Sequence, residues 1–134
     1  MVPLRDDGVV LMVRQFRLAA GGVLLEIPAG TLEAGEEPAA CAARELVEET
    51  GFAAESLRPL FSAYLAPGYT TELIHAFLAT GLTPASAHTD EDENLELVEI
   101  PLADVEGMIA RGEIRDAKSI SSLMVAARLV ETGS

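Results

Sequence analysis

Cysteine is nearly missing from this sequence: Cys41 stands alone among 134 residues. An internal disulfide is therefore excluded, and nothing in cysteine usage points to an oxidising compartment. Cys41 sits between Ala40 and Ala42 and reads as a packing residue, because a catalytic thiol would want basic neighbours. Positive charge is scarce as well, with 9 Lys and Arg against 22 Asp and Glu and a net charge of −13. Such a surface repels nucleic acid and anionic membranes, so neither is expected as a partner. An anionic substrate would need metal ions or a few local arginines to approach. No apolar run reaches the length of a membrane span, and no signal-peptide pattern opens the sequence, so a soluble cytoplasmic protein is expected. Repeats, low-complexity segments and linkers are absent too, which predicts one domain over residues 1–134.

What is present alternates between strand and helix signals. Residues 1–4 read as the end of a strand, Asp7-Gly8 as a hairpin tip, and residues 9–16 as the returning strand. Residues 23–27 form a strand that Pro28 ends. A helix is predicted over residues 38–50, with Pro38 suited to its first turn and Gly51 to its left-handed cap. Two strands over 57–65 and 71–79 flank Pro67-Gly68, a pair that fits a type II turn. Residues 95–100 alternate as a half-buried strand. A short helix over 103–111 precedes a longer one over 116–130, whose stripe of Ile120, Leu123, Met124, Ala127 and Val130 should pack on the sheet. Met12, Met108 and Met124 read as core filling, and His75 as a structural histidine within a strand.

Chemistry concentrates in residues 30–52, GTLEAGEEPAACAARELVEETGF. Glu45, Glu48 and Glu49 stand at i, i+3 and i+4, so their carboxylates share one helix face. Three like charges repel, and a divalent cation removes the conflict, since hard cations take carboxylate oxygens and magnesium typically adds substrate phosphates. A solvated acidic face is the bland alternative for such a trio.

The stretch resembles the Nudix box, G-x5-E-x7-R-E-U-x-E-E-x-G-U with U a bulky apolar residue. Gly30, Glu36, Arg44, Glu45, Leu46, Glu48, Glu49, Gly51 and Phe52 match it without departure. The resemblance implies an α/β fold with a mixed β-sheet between α-helices. It also implies hydrolysis of a nucleoside diphosphate linked to another group, with Mg2+ or Mn2+ as cofactor. By position, Glu45 and Glu49 would be principal metal ligands, Glu48 would share a further ion and its catalytic work, and Ala29 would lend its carbonyl. Glu36 and Arg44 would hold the loop onto the helix, with Gly30 and Gly51 structural.

Residues 25–30, Leu-Glu-Ile-Pro-Ala-Gly, look like the run before the box in ADP-ribose pyrophosphatases, and Pro67 stands sixteen residues after Gly51 as in that group. Residues 66–72 are similar to the group's S-P-G-F/Y-x-x-E element, which makes Pro67, Tyr69 and Glu72 candidate substrate contacts. The acidic run over 90–93 corresponds to a loop that delivers a catalytic glutamate, with Glu91 and Glu93 the candidates and Glu91 aligned best. Arg14-Gln15-Phe16-Arg17 resembles a V-R-Q-Y-R run whose last arginine reaches phosphate, a role that falls on Arg17. A homodimer is implied. Residues 1–4 align within the first core strand, so the N-terminal strand region of well-studied members is expected to lack a counterpart in this sequence.

Two alternatives stay open. One is a Nudix hydrolase of another substrate, such as a dinucleoside polyphosphate or a damaged nucleoside triphosphate. The other is a non-catalytic nucleotide-binding regulatory domain.

Overall fold

Ala76, Phe77, Leu78 and Ala79 are buried in succession, which a strand permits only when both faces of its sheet are covered. They belong to β5 (Leu73–Pro84), the centre of one three-stranded sheet. β5 pairs antiparallel with β4 (Phe52–Tyr64) and parallel with the short β1 (Val2–Pro3). Val10, Leu11, Met12 and Val13 repeat the pattern on β2 (Val9–Arg17). β2 is the centre of a second sheet, antiparallel to β3 (Gly22–Glu26) on one side and β6 (Glu96–Pro101) on the other. A bridge between Leu4 and Val10 connects the two sheets. The remaining elements are α1 (Pro38–Thr50), α2 (Val105–Ala110) and α3 (Ala117–Thr132). This computed structural model describes residues 1–85 and 95–133.

The alternation along β5 explains how both helices find a core. Leu78 points into a cluster with Val10, Met12, Leu123 and Ala126, so α3 covers that side. Phe77 and Ala79 point the other way, against Ala42 and Leu46 of α1. The architecture is the expected α/β arrangement, with its strands divided between two sheets.

Three local expectations need correction. β4 begins at Phe52 and β5 runs on to Pro84, beyond the strands expected over 57–65 and 71–79. Pairing carries the strands through these positions, with a register shift between Pro59 and Phe61. The turn after β4 is not type II, since Gly68 is not among the glycines at positive φ. Instead Tyr69 and Thr70 both donate their backbone N–H to Ala66 O.

The buried face of α3 is also rotated from the predicted stripe. Met124 is 36% and Val130 47% exposed, while Ser119, Ser122, Leu123 and Ala126 are buried. A serine can take a core position when its hydroxyl is satisfied. Ser119 Oγ accepts from Ile27 N at 2.9 Å and donates to Asp116 Oδ2, whose side chain also caps the helix by accepting from Ser119 N. Ser119→Ala should therefore leave the Ile27 N–H unpaired in the interior, at about 1–3 kcal/mol. Urea unfolding would register this as a lowered midpoint with an unchanged slope; an unmoved midpoint would refute it.

Candidate active site

β3 ends at Glu26, and residues 27–30 carry the chain off the sheet toward α1. Glu36 pins the loop that follows. Its carboxylate takes a two-bond fork from Arg44, Nε to Oε2 and Nη2 to Oε1, both 3.0 Å, and also accepts from Glu33 N. Such bidentate pairs fix geometry as well as charge. The Arg44 bonds hold the Glu36 carboxyl far below its usual 4.5, at about 2. A depressed carboxyl adds stability that is complete above the unfolded value and fades as pH falls. Glu36→Gln should thus flatten the acid limb of stability between about 4.5 and about 2, as read from urea midpoints across that range. An acid limb identical to wild type would contradict the pairing.

The same guanidinium reaches the box glutamates. Arg44 Nη1 donates to Glu45 Oε1 at 2.8 Å and to Glu48 Oε2 at 3.4 Å. Glu45 also lies across Gly30: a Cβ added there would stand 2.1 Å from Glu45 Cγ and Cδ. Only glycine lets this carboxylate settle over the backbone beside Ala29.

Ala29, Gly30, Glu45 and Glu49 line a cavity of about 1090 Å³, together with Arg17 and Glu72. Glu48 is exposed and is not part of this lining. Among the described residues, no three acidic, histidine or cysteine side chains converge as around an ion, because Glu45 and Glu48 bend onto Arg44. The donor set is nonetheless all oxygen and carboxylate-rich, which suits a hard divalent cation. Tyr69 is 92% exposed, and neither it nor Pro67 is among the lining residues. Glu91 and Glu93 lie outside the described residues.

Sequence reasoning missed Glu26. It is 1% exposed, yet it carries a carboxylate gripped by Arg17, with Nε to Oε2 at 2.7 Å and Nη2 to Oε1 at 2.8 Å. Lys118 Nζ donates to Glu26 Oε1 as well, and to Asp116 Oδ2 at 2.8 Å. Burial opposes the charge on Glu26, but the bonds from Arg17 and Lys118 outweigh it and hold the carboxyl below its ordinary value. Arg17, expected to reach phosphate, is thus engaged with Glu26 through two of its nitrogens. A lone acid inside the apolar run Val-Leu-Leu-Glu-Ile was the available signal, since such a residue is seldom buried unless paired.

A family model of the NUDIX domain matches residues 1–123. The chain belongs to the NUDIX family. Among curated relatives it is 40% identical over 121 residues to an ADP-ribose pyrophosphatase of Bacillus subtilis, covering 89% of this chain and 65% of that protein. It is 41% identical over 125 residues to a GDP-mannose pyrophosphatase of Citrobacter koseri, covering 87% and 65%. A GDP-mannose pyrophosphatase of Yersinia pestis is 41% identical over 132 residues, covering 91% and 66%. The chain thus spans just under two thirds of the length of these relatives. A crystal structure of an ADP compounds hydrolase superposes with a TM-score of 0.89 at 28% identity, covering 99% of this chain and 71% of that one. The matched span includes Glu36, Arg44, Glu45, Glu48 and Glu49. No helix among the described residues is long and apolar enough to cross a membrane.

Proposed function

We propose that the chain hydrolyses the diphosphate bond of ADP-ribose or a related nucleoside diphosphate sugar, giving a nucleoside monophosphate and a sugar phosphate. The observation that carries this reading is the pairing of opposite chemistries in one cavity. Glu45 and Glu49 offer carboxylates to a cation, and Arg17, held by Glu26 through Nε and Nη2, brings its third nitrogen as a donor for phosphate, within a chain of net charge −13.

Glu45, Glu48, Glu49 and the Ala29 carbonyl would hold Mg2+ or Mn2+, which supplies Lewis-acid charge to the diphosphate and to the attacking water. Gly30 keeps the backbone low, so that Glu45 can lie across it. Glu36 and Arg44 tie the loop to α1 and keep Ala29 beside the helix. Arg17 has Nη1 remaining after its two bonds to Glu26 and can turn it to a phosphate oxygen. Glu91 or Glu93 would take the proton from water, as the sequence resemblance assigns. Phosphoryl chemistry leaves most of the catalysis to such positioning and charge stabilisation. Glu72, which lines the same cavity, would touch substrate, and Pro67 and Tyr69 shape the turn that carries it. The homodimer implied by the resemblance has a candidate surface in the exposed cross-strand pair Phe16 and Val23, with Leu18 beside them.

A GDP-sugar is the second reading, because relatives of equal identity carry that name. A substrate panel decides between them. ADP-ribose, GDP-mannose, a dinucleoside polyphosphate and a nucleoside triphosphate would be compared by phosphate release after phosphatase coupling. One or both nucleotide sugars should lead the panel. Preference for the triphosphate or the dinucleotide would overturn the substrate class, and nucleotide binding without hydrolysis in Mg2+ or Mn2+ would overturn the enzyme.

A further inference from the structure

Arg44 uses two separate edges of its guanidinium. Nε and Nη2 hold the two oxygens of Glu36, each at 3.0 Å. Nη1 holds Glu45 at 2.8 Å and Glu48 at 3.4 Å. The second pair consists of side chains assigned above to a divalent cation. A planar fork with five donors can serve both edges at once, which an ammonium could not.

Without an ion, carboxylates at i, i+3 and i+4 would repel on one helix face. Arg44 Nη1 meets two of the three, so the positive charge that a metal would bring is already there. We propose that Arg44 Nη1 is the resident counter-cation of the metal-free ligand set: it keeps Glu45 and Glu48 together and gives them up to the entering ion. Arg44 stays anchored through Glu36 during the exchange. The inference rests on the metal reading above and goes beyond it in making ion binding a replacement.

Geometry says which edge releases. The Glu36 edge is bidentate and symmetric, with the Glu36 side chain 15% exposed. The Nη1 edge divides one nitrogen between two acceptors, the longer bond going to a Glu48 side chain that is 47% exposed. Water competes for that outer bond, which is the longer of the two and ends on the more exposed carboxylate. Glu48 therefore leaves first and Glu45 second, while the loop stays pinned. A purely structural arginine would keep all its partners when the ion arrives.

Arginine side-chain NMR on the intact wild-type protein tests this. In the metal-free protein the Arg44 Nη1 protons should be restrained by their two acceptors and give resolved signals. Titration with Mg2+ should collapse those signals as rotation about the Cζ–Nη1 bond is freed, while the Nε–H signal holds its position on Glu36. Backbone amides at Glu45, Glu48 and Glu49 report ion binding independently, through shifts with Mg2+ and broadening with trace Mn2+. If those amides respond while the Nη1 signals do not change, Arg44 is a passive strut and the proposal falls. If the Nε–H signal moves together with Nη1, the anchored exchange is wrong. If neither metal affects the amides, the metal reading fails and takes this inference with it.

Discussion

Glu49→Gln is expected to lower ADP-ribose turnover by roughly 10³-fold, because a metal ligand is worth several kcal/mol of transition-state charge stabilisation. Glutamine has the size of glutamate, so packing of α1 against β4 and β5 is kept. Glu49 lies on the last turn of α1, half-buried and lining the cavity, with its Oε2 shielded from solvent. A charge kept so far from water has a job that solvation alone does not explain. Loss of that charge relieves repulsion with Glu45 on the preceding turn but also removes its attraction to Arg17 and the Met1 ammonium, so stability should change little. The decisive measurement is therefore paired: kcat with ADP-ribose at saturating Mg2+, and the thermal midpoint of the same preparation. A folded variant with wild-type kcat would remove Glu49 from the ligand set. A variant that unfolds would show instead that the carboxylate serves the fold.

The helix behind that prediction is legible in the sequence, because α1 is punctuated at both ends, while the role of Glu49 comes from the resemblance to the Nudix box. Pro38 opens the helix and Gly51 closes it at a φ of 77°, and every box residue lies between them or at a fixed offset. Local rules of this kind act over one or two turns, so the sequence exposes them directly. They fail where pairing decides. Residues 53–56 and Gly81 lie within strands because β4 and β5 hold each other through weak positions. The face of α3 was hidden for a related reason: Ser119 counts as polar in any pattern, yet its hydroxyl is satisfied by Asp116 and by the Ile27 N–H, 92 residues away in sequence. The Glu26 cluster lies furthest from sequence legibility. Arg17, Glu26 and Lys118 come from three elements, and only the folded sheet with α3 against it places them around one carboxylate.

Glu26→Gln should be the most destabilising of these changes, costing about 3 kcal/mol. Breaking a buried ion pair from one side strands the other charge, and here two cations lose their common acceptor. The penalty stays below that of a fully enclosed pair, for two reasons. Arg17 is 46% exposed at its side chain and can hydrate, and Lys118 keeps Asp116 at 2.8 Å. Double-mutant cycles separate the contributions. Glu26→Gln combined with Lys118→Met should show the larger coupling, because Lys118 is only 17% exposed. With Arg17→Ala the coupling should be smaller, because a half-exposed guanidinium recovers water when its partner goes. Urea unfolding supplies each free energy, and a Glu26→Gln cost within experimental error of zero would show that the cluster contributes nothing to stability. The sign with pH follows from the depressed Glu26 carboxyl. Its contribution is present above the ordinary carboxylate range and fades as pH falls, so the wild-type advantage over Glu26→Gln should shrink in acid. The same variant bears on substrate. With Glu26 neutral, Arg17 loses the partner that orients Nε and Nη2, and its guanidinium is no longer held in one position at the cavity wall. A rise in KM for the nucleotide sugar, beyond what lost stability explains, would tie this buried acid to phosphate binding through Arg17.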